Sequence, residues 1–165
     1  MIHDVDIVLS LTREQPTEIR PAGISVLSGK ADIANVRLSF ASGCIANLTA
    51  SRVSTEKVRK LRVFQPGEYI SIDYQKQEAI RLAIRKNEPD TLPGIGFESL
   101  PVEHGEPLQI ELASFFQCVR GRSKPRVDAF QASEALALAE AITAKIKEHA
   151  ELVAATLKRH GAHAS

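Results

Sequence analysis

NVRLSFASGCIANLTASRVS, residues 35–54, decides the fold. Val36, Leu38 and Phe40 alternate with Asn35, Arg37 and Ser39, the period-two pattern of a half-buried strand. Ala41-Ser42-Gly43 follows, a tight connection whose glycine suits a positive φ. Cys44, Ala46, Leu48 and Ala50 then alternate with Ile45, Asn47, Thr49 and Ser51 on the way back. Strands joined by so short a turn pair antiparallel.

The flanks extend the same pattern. Ile19 and Ile24 to Val26 mark an earlier strand. Val58–Gln65, Tyr69–Gln75 and Ala79–Arg85 mark three later ones, with Pro66-Gly67 as a turn between the first two. About six strands in sequence with short connections predict an open, mostly antiparallel sheet. Residues 86–106 are rich in proline and glycine and read as a long loop across one face of that sheet. Residues 2–14 space Val5, Val8, Leu9 and Leu11 as a short helix, ended by Gln15-Pro16.

Two helices are expected at the C-terminal end. Over 107–121, Leu108, Leu112, Phe115, Phe116 and Val119 share one side, Pro107 stands in the first turn and Gly121 stops the run. Asp128 or Ser133 caps the last helix, which runs through Leu136, Leu138, Ile142 and Ile146, with Glu151–Arg159 as an extension and His160–Ser165 frayed. The fold class is α+β, with helices on one face of the sheet. The other face carries Ile45 and Val53 among small polar residues, a composition suited to a partner, and a twofold dimer or higher oligomer through that open face is the expectation. Residues 1–150 read as one domain and 151–165 as a helical extension and tail.

Composition excludes several classes. The 165 residues are 44% hydrophobic and 25% charged with a net charge of +1, so neither nucleic acid nor an anionic membrane is indicated. No stretch approaches the ~20 apolar residues of a membrane span. Asp4 and Asp6 stand where a secretory leader would carry basic residues. Cys44 and Cys118 have no metal spacing and read as reduced core thiols, consistent with a cytoplasmic protein.

The chemistry-bearing candidates are few. His3 and Asp6 lie three residues apart, on one side of the expected first helix. A carboxylate beside an imidazole can orient a general base, and two polar residues can equally decorate a helix start. Arg120, Arg122, Lys124 and Arg126 could grip an anion, but cations at a helix C-terminus and in a solvated loop need no ligand. Asn47, Thr49 and Ser51 could line a sugar site or form the polar rows of a dimer face, the reading their small size favours. Arg52 faces the opposite side by alternation and is a substrate-binding candidate. Gly94-Ile95-Gly96 lacks the third glycine, the preceding strand and the following helix of a dinucleotide fingerprint, and reads as loop geometry. His104 and Glu106 have no further ligand at zinc spacing, so no metal is expected.

HGEPLQIELASFFQCVRGRSKPRVDAFQASEALALA, residues 104–139, resembles the C-terminal end of the glucose–fructose oxidoreductase / inositol dehydrogenase (Gfo/Idh/MocA) family. Residues 35–54, VRKLRVFQ at 58–65 and YISID at 69–73 resemble its nucleotide-sugar (UDP-N-acetylglucosamine) 3-dehydrogenase subgroup. MIHDVDIVLSL, residues 1–11, is similar to the family's catalytic helix, which makes His3 the acid/base histidine and Asp6 its orienting or substrate-binding neighbour. The resemblance implies hydride transfer from a sugar CH–OH, at C3 of UDP-N-acetylglucosamine in that subgroup, to NAD or NADP. The family's earlier aspartate, its glutamate–lysine–proline motif and its Rossmann half would precede Met1. The expectation is therefore a substrate-side and dimerisation domain that binds no cofactor alone. The other reading of the same features is a non-catalytic homodimerising or sugar-binding module.

Overall fold

The computed structural model describes residues 1–25, 27, 31–55, 58–85 and 94–161. Val26, residues 86–93 and the last four positions of the expected tail lie outside that set. The described chain forms two compact units, residues 1–54 with 124–165 and residues 55–123.

The first unit holds α1 (Ile2–Thr12), β1 (Glu18–Ile24), β2 (Ile33–Ser39), β3 (Ile45–Ser51) and α3 (Ala129–Gly161). Its strands pair antiparallel in the order β1-β2-β3. The register sets Leu38 opposite Ala46 and Val36 opposite Leu48, so the apolar residues of the hairpin share one face. That face packs with Val5 and Val8 of α1 and Ala135, Leu138, Ile142 and Ile146 of α3 into one core. Both helices thus cover the same side of the sheet. The hairpin turn is built on Gly43 at φ 84, with the Phe40 and Gly43 amides donating to the Cys44 and Phe40 carbonyls at 3.0 Å each. Glu14 fastens that turn by accepting from the amide and hydroxyl of Ser42. Gln15 donates to Glu134 of α3 at 3.2 Å.

Asp128 caps α3. Its carboxylate accepts from the Gln131 amide at 2.9 Å while the Gln131 side chain accepts from the Asp128 amide at 3.0 Å, a reciprocal capping box. The helix then continues without a break through the expected extension to Gly161.

The second unit holds β4 (Lys60–Gln65), β5 (Glu68–Asp73), β6 (Glu78–Arg85), β7 (Gly94–Leu100) and α2 (Pro107–Gly121). Its four strands form an antiparallel meander in sequence order. Gly67 turns the first hairpin at φ 78. Asp73 shapes the second by accepting from the Gln75 and Lys76 amides, at 3.1 Å each. A row of large apolar side chains crosses one side, Phe64 opposite Tyr69, Tyr69 opposite Leu82 and Leu82 opposite Phe97. The rings of Phe64 and Tyr69 lie 4.9 Å apart. Gln77 clamps the entry to α2: its amide donates to the Gly105 carbonyl at 2.7 Å and accepts from the Gly105 N–H at 3.0 Å.

The α+β class and antiparallel pairing agree with the sequence, and among the described residues the strands number seven, in two sheets of three and four. Five details differ. The loop expected over 86–106 contains β7, an edge strand in which Gly94 and Gly96 pair with Arg85 and Ala83. The glycine pair is therefore strand, because missing side chains do not prevent ladder hydrogen bonds. α1 ends at Arg13, which adopts φ 56, before the Gln15-Pro16 break. α2 ends on Arg122 at φ 49 and not on Gly121. Cys44 is exposed in the hairpin turn, not in the core, since β3 begins one residue after it, at Ile45. The apolar side chains of α2 are not core either: none of its residues is buried.

Candidate functional site

α1 forms because Val5 and Val8 fall on one side and seat in the core. Its first turn has no side-chain cap, and the chain amine pairs with Asp4 at 3.2 Å. His3 and Asp6 follow one turn apart on the side away from Val5. The imidazole is exposed and the carboxylate half-buried. Neither has a hydrogen-bond or ion-pair partner among the described residues. Such a pair is free to exchange a proton with an incoming hydroxyl and to accept a hydrogen bond from it.

Arg52 stands just past β3, exposed, and its amide donates to the Asp32 carbonyl at 2.8 Å. Asp32 is buried and accepts from the Leu27 amide at 2.7 Å, which fixes the segment beside Arg52. No hydrogen bond or ion pair joins Arg52 to His3 or Asp6. Asn47, Thr49 and Ser51 face outward from the sheet with Asn35 and Arg37. Thr49 donates to Asn35 at 2.8 Å. Asn35, Asn47 and Thr49, with Arg20, Ala22 and Arg37, line a shallow depression of about 360 Å³. Strand alternation already placed Arg37 on this face; that Arg20 stands opposite it follows from the register alone.

The second unit carries the perturbed carboxylates. The Arg81 guanidinium, helped by the Gln65 amide, holds the Glu68 carboxyl below its ordinary value, and Glu68 raises Arg81 in return. The Lys76 amide, with Lys60 and the Gln75 amide, lowers Asp73. Sequence reasoning missed this network, since nothing in spacing shows that Glu68, Arg81 and Glu98 meet across three strands. Arg120, Arg122 and Arg126 are exposed, as a solvated helix end requires. Glu106 caps α2, accepting from the Gln109 amide at 2.6 Å, and His104 is exposed. Among the described residues no group of histidine, cysteine and carboxylate side chains could hold a metal ion. None of the described helices is long and apolar enough to cross a membrane.

The helix starts do not fit a dinucleotide. A pyrophosphate seats on free helix N–H groups. Here Glu106 occupies the start of α2, Asp128 that of α3, and Asp4 lies in the first turn of α1. A phosphate at any of the three would face a carboxylate.

No protein-family model matches the sequence. The chain is 30% identical over 119 residues to the UDP-N-acetylglucosamine 3-dehydrogenase of Acidithiobacillus ferrooxidans, covering 72% of this chain and 38% of that protein. A crystal form of that dehydrogenase superposes with a TM-score of 0.82 at 27% identity, over 90% of this chain and 48% of that one. Levoglucosan dehydrogenase in complex with NADH shares the fold at a TM-score of 0.72 and 11% identity, over 90% of this chain and 47% of that one. The chain therefore spans at most about half the length of these proteins. Over most of its length the chain is thus similar, in sequence and in fold, to about half of a UDP-N-acetylglucosamine 3-dehydrogenase.

Proposed function

We propose that this chain supplies the substrate-side, oligomer-forming half of a cytoplasmic NAD(P)-dependent dehydrogenase that oxidises a secondary hydroxyl of a nucleotide sugar, at carbon 3 of a UDP-N-acetylglucosamine-like substrate. The observation that carries this reading is the match to the Acidithiobacillus enzyme, in which 30% sequence identity and a TM-score of 0.82 coincide. His3 transfers the hydroxyl proton as general base, and Asp6, one turn along the same helix, orients it or the sugar. Arg52 contacts the substrate's anionic part, for which a guanidinium is the fitting donor. The nicotinamide supplies hydride chemistry from a separate nucleotide-binding half, because the helix starts of this chain present carboxylates to a phosphate. Copies associate through open sheet faces, which the small polar side chains of β2 and β3 and the apolar row on β4–β7 support.

The test is a His3→Ala variant of the enzyme assembled from this chain and its nucleotide-binding half. Turnover should fall about 10²–10⁴-fold, the usual share of general acid–base catalysis. Stability should stay unchanged, since the imidazole is exposed and unpartnered. Wild-type turnover would reduce His3 to a surface residue.

A further inference from the structure

We draw no further inference here: the strongest candidate, the apolar side of α2 on which Leu108, Leu112, Phe115 and Val119 stand exposed, carries nothing because no feature of the structure shows what covers it.

Discussion

Gly23 of β1 lies directly beneath Ile146 of α3, so close that a Cβ on the glycine would sit 2.5 Å from the isoleucine Cγ2. The same Cβ would meet Ala31 at 3.3 Å. The long helix is therefore seated on the strand at a point where only hydrogen fits. Gly23→Ala should destabilise the first unit by about 1–3 kcal/mol, the usual cost of overfilling a packed core. Combining it with Ile146→Ala should cost less than the two single changes summed, because the clash is removed with the isoleucine. Urea unfolding followed by circular dichroism measures both; a neutral Gly23→Ala would mean that α3 rides higher on the sheet.

Arg13 and Arg122 end α1 and α2 in the left-handed region, at φ 56 and φ 49. Their amides close the helices by donating to the Leu9 carbonyl at 2.8 Å and the Val119 carbonyl at 3.4 Å. An L side chain is strained there and glycine is not. Arg13→Gly and Arg122→Gly should each therefore stabilise the chain, by up to about 1 kcal/mol after the added freedom of the unfolded glycine is subtracted. Thermal melts check this; a loss of stability would show that the guanidinium stems contribute packing that outweighs the strain.

Acid should weaken the second unit through Glu68 and Asp73. Both are lowered in the folded chain, so each contributes stability that is present above its ordinary value, about 4 to 4.5, and is lost as pH falls through its folded value. Tyr69 and Tyr74 are the chain's only tyrosines and there is no tryptophan, so tyrosine emission follows this unit alone. Urea midpoints read by that emission should drop between about pH 5 and pH 3, and Glu68→Gln with Asp73→Asn should flatten the drop while lowering the midpoint at pH 7. A pH profile unchanged by the double substitution would mean that neither carboxylate is linked to folding.

The β2–β3 hairpin was legible because period-two alternation and Gly43 agree on one register, and α3 because its apolar spacing continues through Ile142 and Ile146 beyond the Asp128 cap. β7 was not. Its Gly-Ile-Gly opening beside a proline carries turn chemistry, and its strand state comes from pairing with β6, a partner that local sequence does not display. The α2 helix was legible as a helix but not as an exposed one. Periodicity shows that Leu112, Phe115 and Val119 align, and is silent about what lies against them. At the candidate site, spacing put His3 and Asp6 on one helix and the structure keeps them there. The facing of Arg20 by Arg37 depends on a strand register set by long-range pairing, which local sequence does not display.

The central claim is that this chain shapes the sugar side of a cleft while the nicotinamide is bound elsewhere. Titration of the ¹⁵N-labelled chain with UDP-N-acetylglucosamine and, separately, with NADH tests it most directly. The nucleotide sugar should shift amide signals at the start of α1 around His3 and Asp6 and near Arg52, while NADH should leave the spectrum unchanged. Saturable NADH binding at micromolar concentration, with α1 silent to the sugar nucleotide, would contradict the account.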